Sequence, residues 1–218
     1  MPDNLRKTAS EIIERLDTAY PQAHQELNFS NPFQLLIATI LAAQCTDAKV
    51  NQVTEGLFKK YPDPESFLPV DEADLQNEIR SITFYRNKAK GIKKACRILV
   101  DEFGGQVPAT VEDLTKLPYV GRKTANVVLA NAMGIAAIGV DTHTLRVPNR
   151  LGWVETQDPD RVEAALCELL PREKWHRANL VLQWHGRYTC KSRKPLCSEC
   201  VIFEKCSWLD KEKYGHQN

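Results

Sequence analysis

Apolar residues recur along this chain with a helical period almost throughout. Leu5, Ala9, Ile12, Ile13, Leu16 and Ala19 share one face of a first helix, which Tyr20-Pro21 stops. Asn31-Pro32 supplies a cap and a first-turn proline for a strongly apolar helix to about Ala43. Thr46 or Asp47 caps the next, which carries Val50, Val53, Leu57 and Phe58 and ends before Pro62. Asp71 opens a short helix to about Arg80, and a longer one runs from about Tyr85 to Phe103, stopped by Gly104-Gly105. Thr110 caps a short helix to about Lys116, and a tight hairpin then launches another from Gly121 to Met133, ended by Gly134. Ile138-Gly139-Val140 is a brief extended link, with Asp141 as the cap of the following helix. Asp158-Pro159 and Pro171 open two more, the last running to about Tyr188. With no alternating strand pattern and no repeat, the expected fold class is all-α. The unperiodic link Gly134 to Gly139 is the best candidate for a domain boundary.

At 218 residues, 43% hydrophobic and 26% charged, the chain can bury a substantial core in one or two domains. No apolar run approaches the ~18 residues of a membrane span. The N-terminus leads into an amphipathic pattern and not into a signal peptide, so a cytoplasmic protein without membrane contact is expected, and one associated with the nucleoid if the family resemblance given below holds. The formal net charge of +1 excludes little, but its distribution is uneven. Between Ile79 and Arg97 there are seven basic residues and no acidic one. Arg86, Lys90, Lys93, Lys94 and Arg97 fall on one helix face, with Ala89, Ile92, Cys96 and Leu99 opposite. Such a stripe is either a solvated face or the track of a nucleic-acid backbone.

The segment Leu117-Pro118-Tyr119-Val120-Gly121-Arg122-Lys123-Thr124-Ala125 favours the second reading. It is a helix end, a hairpin and a new helix start, where outward-pointing N–H groups form a ready site for a phosphate. Lys123 would then be held beside a nucleic-acid backbone as a cation and candidate nucleophile, and Tyr119, Gly121 and Arg122 would be DNA contacts if the family resemblance given below holds. Val140-Asp141-Thr142-His143 follows, with Asp141 as cap and candidate catalytic carboxylate. His143 reads as structural, and Trp153, Trp175, Trp184 and Trp208 as core or interface aromatics.

Of seven cysteines, Cys45, Cys96 and Cys167 lie in apolar helical surroundings and read as core. Cys190, Cys197, Cys200 and Cys206 form C-x6-C-x2-C-x5-C, which suits a tetrahedral metal or a [4Fe-4S] cluster. Zinc sites usually show two short pairs with a long spacer, so the spacing favours iron–sulfur. Tying Cys190 to Cys197 would hold Lys191, Arg193 and Lys194 in one rigid loop suited to a phosphate backbone.

The hairpin, V-D-T-H and the cysteine spacing together resemble endonuclease III, the helix-hairpin-helix DNA glycosylase and lyase family. Leu41-Ala42-Ala43-Gln44-Cys45-Thr46-Asp47, Phe84-Tyr85-Arg86-Asn87-Lys88-Ala89 and His185-Gly186-Arg187-Tyr188-Thr189-Cys190 extend the resemblance over nearly the whole chain. It implies a six-helix barrel domain over 27–135 and an iron–sulfur cluster domain from 1–26 and 136–218, with a cleft between them. It also implies excision of oxidised pyrimidines from duplex DNA, then cleavage of the abasic site by β-elimination, by a protein acting as a monomer. Lys123 would be the nucleophile, Asp141 the catalytic carboxylate, and the four late cysteines the [4Fe-4S] ligands. Gln44 would fill the gap opposite the missing base, and Phe84 stands at the wedge position. The alternatives are a glycosylase of this fold for another lesion or mismatch, and a catalytically weak DNA-binding paralogue. Three residues depart from the family pattern. Tyr119 replaces the usual first hairpin glycine, Thr83 stands where glycine commonly precedes the wedge, and Pro148 is expected to kink or end the Asp141 helix early.

Overall fold

The computed structural model describes residues 2–215, and among them there are helices and turns but no strand. None of the helices is long and apolar enough to cross a membrane. The chain divides into two compact units, one of residues 25–135 and one combining 1–24 with 136–218.

In the 25–135 unit the most apolar stretch becomes the innermost helix. Helix α2 (Pro32–Ala42) follows α1 (Asp3–Ala19) of the other unit, and buries Phe33, Leu35, Leu36, Ile37, Ala38, Ile40 and Leu41. At ~1.5–3 kcal/mol for each large side chain removed from water, this helix anchors the unit. Asn31 caps it by accepting from Gln34 N–H, and Pro32 occupies the first turn. Helix α3 (Asp47–Lys60) packs on α2, with Thr46 as its cap. Pro64–Phe67 forms a single-turn helix α4 inside an Asp63/Ser66 capping box. Helix α5 (Glu72–Glu78) and α4 both rest on α6 (Tyr85–Phe103), which ends at Gly104 in the left-handed conformation. Helix α7 (Val111–Leu114) leads through the hairpin into α8 (Arg122–Ala132), which packs back on α2.

In the other unit α11 (Trp175–Tyr188) packs against α1 and against α9 (Thr142–Arg150), and α10 (Pro159–Leu169) closes over α1 and α9. The core joins Ile12 and Leu16 to Val147, Leu151, Trp153, Leu166 and Val181. Arg177 fastens α11 to the end of α1: Nε donates to Asp17 Oδ1 at 2.5 Å, Nη1 to Ala23 O at 2.6 Å and Nη2 to Tyr20 O at 2.8 Å. Pro148 lies within α9, which runs on to Arg150, so the expected early end is corrected. A proline two residues from a helix end forfeits one backbone bond, and Leu151 N–H still reaches Val147 O at 2.9 Å. A short helix α12 (Glu212–Gly215) follows the cysteine segment.

Cys96 on α6 is fully buried, and its thiol is pushed up to about 12, chiefly by burial, with Glu65 and Asp63 adding to the effect. Its thiolate fraction is therefore roughly a thousandfold below that of an ordinary thiol. Iodoacetamide at about pH 8 should leave Cys96 unmodified in the native protein and alkylate it in urea. Peptide mass spectrometry reads the outcome; native labelling of Cys96 as fast as of half-buried Cys45 would contradict it.

Candidate functional site

The hairpin is built by two inward anchors and one outward ring. Leu117 N–H donates to Leu114 O at 3.1 Å, and Val120 N–H to Leu117 O at 3.2 Å. Leu114, Leu117 and Val120 are buried, whereas Tyr119 between them has φ 64° and is 57% exposed. The tyrosine ring lies on α6 at Gly91. A Cβ added there would stand 2.3 Å from ring atoms Cδ2 and Cε2, so only glycine admits this arrangement. Gly121 then opens α8 with no side-chain cap, a helix start of the kind that suits an anion. Arg122 and Lys123 follow in that turn, both exposed.

Non-glycine residues with positive φ are few. Among the described residues they are Gln44 (56°), Phe84 (56°), Tyr119 (64°) and Lys194 (50°), and all four belong to the DNA-contact set expected from sequence. A left-handed backbone disfavours any residue with a Cβ by ~1–2 kcal/mol, so the surrounding structure must hold each in place. Gln44 is the exposed apex between α2 and α3. Phe84 is the N-cap of α6 and is 58% exposed. The basic stripe is less uniform than its spacing suggests. Arg86, Lys90, Lys94 and Arg97 are exposed, but the Lys93 amine is turned onto Val70 O. Lys88 is buried, and its Nζ donates to Leu41 O at 2.8 Å and Ala43 O at 2.6 Å.

Asp141 is the N-cap of α9. Its Oδ1 accepts from His143 N–H at 2.9 Å and Thr144 N–H at 2.8 Å, and its Oδ2 from Gln183 Nε2 at 2.9 Å. The carboxylate is thus fixed by its own helix and by α11. His143 packs over Gly186, where a Cβ would meet His143 Cβ at 2.7 Å, and its Nδ1 lies 3.2 Å from Arg146 Nη2. That is a structural placement.

Cys190, Cys197, Cys200 and Cys206 line one pocket with Val147, Leu151, Ile202, Arg150 and Lys211. No three His, Cys, Asp or Glu among the described residues form a single-ion site; the four thiols instead share this pocket. Burial pushes the Cys200 thiol up to about 11 and raises Cys197 and Cys206, so a metal would have to displace protons to bind. Two cations border the thiols. Arg150 Nη1 donates to Cys190 Sγ at 3.2 Å while its guanidinium stacks 4.0 Å from the Trp208 ring centroid. Lys211 Nζ donates to Phe203 O at 3.0 Å and Cys206 O at 2.8 Å. Four thiols under two cations suit an anionic, thiolate-bound metal group. The exposed loop of Lys191, Arg193 and Lys194 is held from below, because Arg150 also donates to Lys191 O at 2.8 Å and Ser192 O at 3.2 Å.

The profile of the HhH-GPD superfamily base excision DNA repair protein family matches residues 37–172. An endonuclease III of Synechocystis is 47% identical over 92% of both chains, and one of Bacillus subtilis is 46% identical over 89% of both. The chain belongs to the HhH-GPD superfamily of base excision DNA repair proteins. Its fold is that of a trapped endonuclease III–DNA covalent intermediate, with TM-score 0.90 and 42% identity over 99% of this chain and 100% of that one. A thermostable thymine-DNA glycosylase is more distant, at TM-score 0.81 and 28% identity over 96% of this chain and 98% of that one.

Sequence reasoning missed four side chains that hold candidate site residues in the two units. Gln183 fixes Asp141, Arg146 and Arg150 fix the cysteine loop, and Lys88 fixes the loop of Gln44. Arg146 and Arg150 had a signal, since they recur four apart on the helix that Asp141 caps. Arg150→Met should loosen the 190–197 loop. With each charge-assisted bond worth ~1.5–3 kcal/mol, trypsin should cut after Lys191 or Arg193 about tenfold faster or more. Unchanged cleavage on a time-course gel would show that the loop is held without Arg150.

Proposed function

We propose that this protein is a bifunctional DNA glycosylase and abasic-site lyase that removes oxidised pyrimidines from duplex DNA. The observation that carries the reading is Lys123: an exposed amine in the first turn of α8, behind an uncapped Gly121, in a chain of this family. Arg122 and the open N–H groups of that turn bind the backbone phosphate and bring the amine to the sugar.

The target base lies inside a stack, so its nucleotide must be everted, at a cost of a few kcal/mol. Phe84 as wedge and Gln44 as plug offset that loss by occupying the vacated space. Lys123, uncharged when it attacks, forms a bond from Nζ to C1′ as the bond from C1′ to the base breaks and the base departs with a proton. Ring opening gives a Schiff base between Nζ and C1′. Loss of the C2′ proton then expels the 3′ phosphate, and water releases the sugar remnant from lysine. Asp141, held by three donors, stabilises the positive charge that develops on the sugar and takes part in moving the amine proton.

The four cysteines are proposed as ligands of a [4Fe-4S] cluster, supported by their spacing, their common pocket and the two bordering cations. When bound, the cluster ties the 190–206 segment together, so that Lys191, Arg193 and Lys194 meet DNA on a loop already ordered.

Sodium borohydride should trap wild-type protein covalently on an abasic-site duplex, and Lys123→Gln should abolish the adduct. No adduct from folded wild-type protein would refute the lyase step. Gln183→Leu frees one Asp141 oxygen from its donor and should slow trapping about tenfold to a hundredfold. A rate unchanged by that substitution would remove Gln183 from the mechanism. Purified protein should contain iron and inorganic sulfide in near-equal amounts, and stoichiometric zinc instead would overturn the cluster assignment. A panel of single-lesion duplexes, with a G·T mismatch included, tests the substrate class; turnover of the mismatch above thymine glycol would point to the mismatch reading.

A further inference from the structure

Lys88 is 3% exposed, an unusual position for a lysine, whose amine normally reaches water along its flexible stem. Its Nζ donates to Leu41 O and Ala43 O, the two carbonyls that flank Ala42 at the end of α2. The second of these belongs to the peptide that enters Gln44, whose φ is 56°. The backbone N–H of Lys88 donates to Phe84 O at 3.1 Å, and Phe84 also has φ 56°. One residue is therefore bonded directly to the backbone that presents the plug and to the backbone that presents the wedge. Both lie in the 25–135 unit.

Capping alone does not explain a cation in this place. Burial lowers the Lys88 pKa from the ordinary lysine value, so the charged amine is kept against a desolvation cost by neutral carbonyl partners. What the lysine adds is a fixed span from α6 to the last turn of α2, through a side chain whose end is held by two bonds. A left-handed glutamine relaxes toward ordinary backbone values unless its flanking peptides are fixed, and the Ala43 carbonyl is one of those peptides.

We propose that Lys88 is a positioning residue that fixes Gln44 relative to Phe84, so that plug and wedge enter one vacated base stack together. This inference rests on the glycosylase reading above. It assigns Lys88 no contact with DNA and no part in the chemistry. Its effect is confined to DNA in which a stack has been opened.

The test is a double-mutant cycle of wild type, Lys88→Met, Gln44→Ala and the double variant, with Phe84→Ala as a control. Each binds two duplexes by fluorescence anisotropy, one carrying a tetrahydrofuran abasic analogue and one undamaged. A 2-aminopurine opposite the analogue reports insertion of the plug. Lys88→Met is expected to weaken binding of the analogue duplex about tenfold or more, with undamaged duplex bound nearly as by wild type. The double variant is expected to bind the analogue no worse than Gln44→Ala alone, and the 2-aminopurine signals of the two to coincide. A bystander role predicts otherwise, with losses that add in the double variant or fall equally on both duplexes; either result, or no loss at all, overturns the proposal. If Gln44→Ala and Phe84→Ala themselves bind the analogue like wild type, the assignment of plug and wedge fails, which is a separate outcome. Should Lys88→Met not fold by circular dichroism, Lys88→Gln takes its place in the cycle; failure of both makes the residue structural and overturns the proposal.

Discussion

A buried helix that ends leaves backbone groups without partners, and the candidate functional residues in each unit of this protein are arranged around how those groups are satisfied. Helix α2 is apolar on nearly every side, and the Lys88 amine reaches from α6 to two carbonyls at its end, those of Leu41 and Ala43. Helix α9 begins at Asp141, whose carboxylate takes up the N–H groups of His143 and Thr144. Near the end of α11, Arg146 donates to Gly186 O at 2.7 Å and to Cys190 O at 3.0 Å. Helix α8 is the exception. Gly121 gives it no side-chain cap, and a helix start of that kind suits an anion.

The same logic accounts for the backbone conformations. Short connections join α2 to α3, α5 to α6 and α7 to α8, and in each the chain must turn sharply. A reversal that tight passes through left-handed values, which glycine adopts freely and Gln44, Phe84 and Tyr119 do not. Each of these residues carries a side chain that a glycine could not supply. Their strain is borne by well-packed neighbours: Leu41 before Gln44, Ile82 before Phe84, and Leu117 with Val120 around Tyr119, all buried. Rigid apolar surroundings are thus a condition for exposing these three side chains in fixed directions.

Much of this was legible in the sequence wherever the controlling interaction was local. Asn31, Thr46, Thr110, Asp141 and Asp158 announce helix starts because a cap and its N–H lie within three residues of each other. The turn at Pro64–Phe67 was missed because four residues carry no period, and only its Asp63/Ser66 box marks it. Lys88 and Lys93 read as members of a basic run, since a charge pattern does not reveal that one amine finds carbonyls on α2 and the other Val70 O. Gln183 was invisible for the same reason: its partner Asp141 is remote in sequence, and a glutamine on a mixed helix face looks like any solvated residue. Composition and period specify helices and their ends; which long polar side chain crosses to another helix depends on packing that no local window contains.

The pairing of Tyr119 with Gly91 shows how far such crossing contacts reach into function. A tyrosine at φ 64° costs ~1–2 kcal/mol, and a glycine inside α6 costs about another 0.5–1. Against a total stability of ~5–15 kcal/mol these are not small, and neither residue helps without the other. Any side chain at position 91 would collide with the ring, and without the ring Gly91 would merely weaken its helix. Together they hold an aromatic face on the one helix that also carries Phe84 at its start and Lys88 in its interior. Helix α6 therefore does more than present a charged stripe: its first two turns carry Phe84 at the start, reach the loop before Gln44 through Lys88 and receive the Tyr119 ring at Gly91.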